Sequence, residues 1–183
     1  MLRHNRLGLL LIKSKVDSLY RLSTLFYYIN KGKLTTEITA STFLKIALTK
    51  EERQKAIDLL QQQQLPTLDI DEEKLLYLLL EGEKVIGTAG LEIFNDCALL
   101  RSVSVVKNQQ GKGFGRVIND GVEKYAKDSG INCMYLLTTS AKDFFDKQGY
   151  CVISREDAPV AVKQTAEFTS LCPSSAVLMK KRI

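Results

Sequence analysis

The stretch from Leu99 to Gly130, LLRSVSVVKNQQGKGFGRVINDGVEKYAKDSG, constrains the fold more than any other part of this chain. Its first residues are rich in β-branched side chains (Val103, Val105, Val106) and read as a strand. The strand breaks at Asn108-Gln109-Gln110, and glycine then alternates with larger residues: Gly111, Lys112, Gly113, Phe114, Gly115, Arg116. From Phe114 the apolar positions Val117, Ile118, Val122, Tyr125 and Ala126 recur at helical spacing, and Gly130 supplies a stop. A strand feeding a helix through a glycine loop leaves the unpaired amides of the first helical turn, and the positive end of its dipole, facing an open site. The guest of such a site is an anion, phosphate above all, and Lys112 and Arg116 add positive charge beside it.

Spacing narrows the phosphate ligand. The chain has no Gly-Lys-Ser/Thr triplet four residues after a glycine, and Gly111-x-Gly113-x-Gly115 is not the G-x-G-x-x-G of dinucleotide folds. What remains, Gln110-x-x-Gly113-x-Gly115, resembles the acetyl-CoA pyrophosphate loop of the GNAT N-acetyltransferases. A glycine-rich turn leading into an ordinary helix is the bland alternative. A second stretch, Phe144-Phe145-Asp146-Lys147-Gln148-Gly149-Tyr150, is similar to the other signature of that family, Phe-Tyr-Glu-Lys-x-Gly-Phe.

Residues 43 to 182 follow the element order that this resemblance requires. A strand is predicted at Phe43 to Leu48, and Thr49 with Glu52 forms a capping box for a helix from Lys50 to Gln64. Strands follow near Leu75 to Leu80, Val85 to Phe94 and Leu99 to Val106, joined by the turns Glu81 to Lys84 and Asn95-Asp96. Beyond the glycine loop and its helix come a strand at Cys133 to Thr138, a short helix at Ala141 to Lys147, and strands at Tyr150 to Ile153 and Ser175 to Lys180. An antiparallel meander followed by one strand-helix-strand crossover gives an α/β (α+β) fold, a mixed sheet of six to seven strands with its switch point beside the glycine loop. The acidic run Asp69, Asp71, Glu72, Glu73 reads as a solvated loop.

The chain has 183 residues and a formal charge of +5. Residues 1 to 34 hold seven Lys/Arg and one Asp, which leaves 19 basic against 20 acidic residues elsewhere, so the charge does not point to nucleic acid. No apolar run approaches the roughly 20 residues that span a bilayer. Residues 1 to 34 therefore read as a basic extension outside a GNAT domain at 35–183. A surface or oligomer contact, a targeting segment and a start-site artefact stay open for them, as does a homodimer. His4, the one histidine, lies in that segment, so a histidine triad or histidine-ligated metal in the core is not expected. The four cysteines have no CxxC pairing and fit a reducing cytoplasm. Cys97, Cys133 and Cys151 read as buried small hydrophobes in strands. Cys172, beside Pro173, is either structural or a lining residue of the acceptor pocket, where its thiol suits a soft element such as trivalent arsenic.

By the resemblance, the chain transfers acetyl from acetyl-CoA to a small-molecule amine by direct attack in a ternary complex, without a metal. The implied acetyl-CoA contacts are Val103, Ser104, Val105, Gln110, Gly111, Lys112, Gly113, Phe114, Gly115, Arg116 and Phe144. LLRSVSV, LLTTSAKDFF and EFTSLCPSSAVLM resemble a subgroup encoded in bacterial arsenic-resistance operons, with weaker similarity to the catalytic domain of N-acetylglutamate synthase; amino-acid-like or arsenic-related acceptors follow. Arg101 interrupts an apolar strand, and either snorkels to solvent or anchors a substrate carboxylate. Glu92 is the candidate base against an exposed strand position. Thr139 and Ser140 are candidate orienters, against simple capping of the following helix. The tyrosine that protonates the thiolate in many relatives is Phe145 here. A non-catalytic acyl-CoA-binding module is the alternative.

Overall fold

The computed structural model describes residues 42–183. The chain divides into the units Met1–Phe43 and Leu44–Ile183, and the second holds every element discussed below except the first two residues of the first strand. The basic extension at 1–34 lies outside the described residues.

Strands β1 (Thr42–Ile46), β2 (Leu75–Glu81), β3 (Lys84–Phe94), β4 (Cys97–Val105), β5 (Cys133–Thr138), β6 (Cys151–Ile153) and β7 (Val177–Arg182) form one sheet in the order β1-β2-β3-β4-β5-β7-β6. Helix α1 (Lys50–Gln62) opens on the expected capping box, with the Thr49 side chain accepting from Glu52 N and the Glu52 carboxylate returning to Thr49 N. Helices α2 (Phe114–Asp128), α3 (Lys142–Lys147) and α4 (Val160–Lys163) complete the layers. This is the mixed α/β fold that the element order predicted.

Strand periodicity assigns each helix to a face. Leu76, Leu78 and Leu80 of β2 pack with Ala56 of α1, so even positions of β2 point to α1. Odd positions meet α2, where the Tyr77 and Tyr125 rings stand edge-on at 5.9 Å. Register carries this parity across the sheet: Leu76 opposes Gly90, Gly90 opposes Arg101, and Glu92 opposes Leu99. Arg101, Glu92 and Leu99 therefore share the face of α1. Ala158 and Val162 lie on that same face, in a cluster with Leu99, Tyr135 and Leu178.

Two irregularities create the cleft. The antiparallel β3–β4 ladder shifts register between Thr88 and Gly90, so Ser104 opposes Thr88 and shares the face of Arg101. Ser102 sits in this bulge with φ +54, a left-handed conformation that costs an L-residue about 1–3 kcal/mol and collects at functional sites. The parallel β4–β5 pairing then stops after Leu99 and Tyr135, while β5 continues on β7 as far as Thr138 and Val177. Beyond Leu99 the two central strands part, leaving edges that no partner strand among the described residues fills.

Two expectations for cysteines give way. Cys97 is buried, but Cys133 is half-buried and Cys151 is exposed, because β6 is a three-residue edge strand with mostly exposed positions. The segment between β6 and β7 also holds structure that periodicity did not predict: a 3-10 turn at Arg155–Asp157, α4, and a turn of π-helix at Glu167–Leu171.

Candidate active site

The glycine loop has the geometry that its composition demands. Gly111 and Gly113 have φ of +76 and +87, and a Cβ at either would meet no atom within 4 Å. Their freedom is needed by the backbone, and the space beside them is open. Gly113 is the N-cap of α2 and offers no side chain to cap it; the ladder starts with Arg116 N and Val117 N on Gly113 O. The earlier amides of the turn thus face the opening. Lys112 and Arg116 are exposed; Lys112 Nζ donates to Gln109 Oε1 at 2.8 Å, and Gln109 Nε2 donates to Glu81 Oε2 at 3.1 Å, which ties the loop to the β2–β3 hairpin. Gln110 Nε2 donates to the carbonyl of Val105 at 2.9 Å, so the loop also holds the end of β4.

The two signatures meet at Gly115. A Cβ there would stand 3.2 Å from Phe144 Cζ, so glycine lets the ring lie against the start of α2. Phe144, Phe145 and Tyr150 form an edge-on series with centroids 4.9 and 5.6 Å apart, and Phe145 and Tyr150 are buried. Phe145 is a packing residue of α3 rather than a proton donor.

Arg101 is the centre of the second half of the site. Its side chain is 1% exposed, and it is ringed by carboxylates from three other segments. Asp69, from the loop before β2, takes both terminal nitrogens, with Nη2 to Oδ1 at 2.7 Å. Glu92 Oε1 accepts from Nη1 at 2.7 Å, and Glu167 Oε2 lies 2.9 Å from Nη2. Burial alone would lower the guanidinium's affinity for its proton, but the bonds to Asp69, Glu167 and Glu92 outweigh it and hold the charge. The structure thus departs from both expectations for Arg101. It neither snorkels nor waits for a substrate carboxylate, because its donors already have protein acceptors. Asp69 likewise leaves the solvated loop assigned to it, being 13% exposed; Asp71 stays there, capping Glu73 N at 3.0 Å.

Glu167 joins Cys172 to this group. The Cys172 thiol donates to Glu167 Oε1 at 3.6 Å, and burial together with the Glu167 charge pushes the thiol up to about 11. At neutral pH it is a thiol, not a thiolate. Burial also pushes the Glu167 carboxyl above the ordinary 4.5, against the opposing pull of Arg101. A carboxyl shifted this way contributes stability that is full below pH 4.5 and is lost as pH rises through its folded value. Glu167→Gln should therefore flatten the acid side of the stability profile, with its gain over wild type growing from pH 4.5 upwards. Urea denaturation at a series of pH values checks this; a parallel profile for the two proteins contradicts it.

The turn into α3 is capped by Thr138, whose Oγ1 accepts from Ala141 N at 2.9 Å. Thr139 and Ser140 are exposed at the end of β5, and Val103 and Ser104 are half-buried where β4 leaves β5. The structure brings Arg101, Glu92 and Cys172 into one cluster through Glu167, and sets Phe144 against the glycine loop at Gly115. Asp69 and Glu167 were not expected as partners of Arg101. The acidic run and the EFTSLCPSSAVLM stretch marked their segments, but nothing local says that either reaches Arg101.

Known proteins share both the sequence pattern and the fold of this chain. The model of the acetyltransferase (GNAT) family matches residues 36–150. The chain belongs to the GNAT family. It is 33% identical over 72 residues to an acetyltransferase of Bacillus subtilis, covering 39% of this chain and 49% of that protein. The N-acetyltransferase YjcF of the same organism is 28% identical over 90 residues, covering 49% of this chain and 64% of that protein. The chain thus spans about half to two thirds of the length of these GNAT relatives. Among solved structures, N-acetylglutamate synthase from Neisseria gonorrhoeae complexed with coenzyme A and N-acetyl-glutamate superposes with TM-score 0.63 at 19% identity, over 78% of this chain and 35% of that one. The ribosomal-protein-S18-alanine N-acetyltransferase of Escherichia coli gives 0.60 at 17%, over 78% and 94%. At these identities both show the GNAT fold.

Proposed function

We propose that the protein is an N-acetyltransferase that transfers acetyl from acetyl-CoA to the amine of a small molecule by direct attack in a ternary complex. The observation that carries this reading is the open, positive-φ loop Gly111–Gly113 at an uncapped helix start, held by Gln110 to the end of β4 that runs on past its pairing with β5. The amides of the loop receive the pyrophosphate, and the edge of β4 at Val103 to Val105, which β5 does not pair, receives the pantetheine and polarises the acetyl carbonyl. The acceptor amine attacks that carbonyl carbon, and the C–S bond breaks with its electron pair leaving on CoA sulfur. A thiolate of pKa roughly 8.5 leaves without an acid, which accords with a buried phenylalanine at position 145. Proximity and carbonyl polarisation then supply most of the rate.

The amine must arrive without its proton. Glu92, with one carboxylate oxygen in the Arg101 ion pair, takes it through water, and Thr139 or Ser140 orients the acceptor. Glu92→Gln is expected to lower kcat/KM about 10- to 100-fold and to remove the acid limb of its pH profile; an unchanged profile would remove Glu92 from the mechanism.

The acceptor class that best suits the family resemblance is amino-acid-like, with an arsenic-related amine as the narrower reading, and four unpaired thiols suit a reducing cytoplasm. Release of free CoA thiol from acetyl-CoA, measured across a panel of amino acids and other primary amines, tests the activity. Turnover with one class of amine supports it, and binding without turnover across the panel favours a regulatory acyl-CoA-binding module. A chain starting at Thr35 is expected to stay soluble and bind acetyl-CoA as the full chain does, because both signatures lie beyond that point; precipitation would place residues 1–34 in the core or an interface.

A further inference from the structure

Glu167 belongs to the half of the sheet that carries β5 and β7, yet its carboxylate reaches Arg101 on β4, 2.9 Å away. Strand pairing between these halves ends at Leu99 and Tyr135, two residues before Arg101. The ion pair therefore crosses from one parted arm to the other just past the point of separation. The Glu167–Leu171 segment is held from its own side by a second arginine. Arg155 donates to the carbonyls of Phe168 and Ala176 at 2.8 and 3.2 Å and lies over the Phe168 ring at 4.3 Å. Asp69 from the loop before β2 and Glu92 from β3 fix the Arg101 fork from behind. One segment is thus tied to both arms by charge-assisted bonds, the one to Arg101 buried and those to Arg155 part-buried.

We propose that the Arg101–Glu167 ion pair is a clasp across the parted strands, and that Arg101 is a positioning residue which fixes how far β4 and β5 stand apart where acetyl-CoA lies. This builds on the acetyl-CoA reading above. Arg101 sits next to Ser102, the strained residue of the bulge, so a bond that holds Arg101 also holds the backbone that turns towards Val103. The groups facing Glu167 are Arg101 on β4, Asp69, Glu92 on β3, and Cys172 on its own segment, with Arg155 behind Cys172. Among the described residues only Arg101 bonds it across the gap, so removing the Glu167 carboxyl cuts this ion pair while leaving Arg101 with two carboxylate partners. Glutamine keeps an oxygen that can accept the same hydrogen bond.

The test compares wild type, Glu167→Ala and Glu167→Gln in the full chain by acetyl-CoA titration and by hydrogen exchange without ligand. The clasp predicts that Glu167→Ala weakens acetyl-CoA binding about 10-fold, whereas Glu167→Gln stays within about threefold of wild type. It also predicts that Glu167→Ala speeds exchange in residues 99–105 and 135–139 together, and that Glu167→Gln does not. Equal effects of the two substitutions, or faster exchange confined to residues 166–172, would overturn it. A wild-type protein that fails to bind acetyl-CoA would count against the functional reading instead, and the exchange pattern would then judge the clasp alone.

Discussion

Replacing Arg101 with methionine is expected to destabilise the protein by about 3–5 kcal/mol, the cost of leaving buried charges without their partner. Asp69, Glu92 and Glu167 have side chains only 12–13% exposed and converge on one guanidinium. Without it, three carboxylates face one another in a site that water enters poorly. Each then repels the others, and protonation becomes the main relief, so the variant should lose most stability at neutral pH and recover part of it in acid. Asp69→Asn with Glu92→Gln and Glu167→Gln in the Arg101→Met background should restore much of the loss, because the uncompensated charge is gone. Urea denaturation measures both. A loss under about 1 kcal/mol for Arg101→Met would mean that the group behaves as a surface ion pair, and the buried network would be wrong.

Gly113→Val is expected to weaken acetyl-CoA binding at least about 100-fold, equivalent to about 2.7 kcal/mol, while leaving a folded protein. At φ +87 any side chain is strained, by about 1–3 kcal/mol. That strain alone cannot distinguish a binding role from a structural one. Gly130 supplies the control: it has φ +85 and an equally open surrounding, but it follows α2 at the end remote from the loop. Gly130→Val should lose similar stability and keep its acetyl-CoA affinity. The difference between the two isolates the side chain that would occupy the pyrophosphate position. Equal affinities for the two variants would show that the loop is merely a turn.

Much of this architecture was legible because it is local. The Thr49–Glu52 capping box, Gly130 and Gly149 after α2 and α3, and the β-branched run of β4 state their structures within a few residues. The parting of β4 and β5 was not legible in the residues, since none in either strand announces where pairing ends. The Arg101 cluster was half legible. A lone arginine in an apolar strand demanded an explanation, but its partners are 32, 9 and 66 residues away in sequence. Asp69 looked like one more acid in a solvated run, and only the fold singles it out from Asp71. The bulge at Ser102 was invisible for a related reason. It exchanges the faces of the residues after it, and strict alternation along SVSV would have put Val103, not Ser104, on the face of Arg101.

The central claim is that the glycine loop binds the pyrophosphate of acetyl-CoA, and that this bond places the thioester between the strands. Titrating the full-length protein with acetyl-CoA and with acetyl-pantetheine, which lacks the pyrophosphate and nucleotide, tests it most directly. The account predicts tight binding of acetyl-CoA and a loss of at least about 100-fold for acetyl-pantetheine, since the amides of the helix start would have no anion to hold. Equal affinity for the two compounds, or no binding of acetyl-CoA, would contradict it.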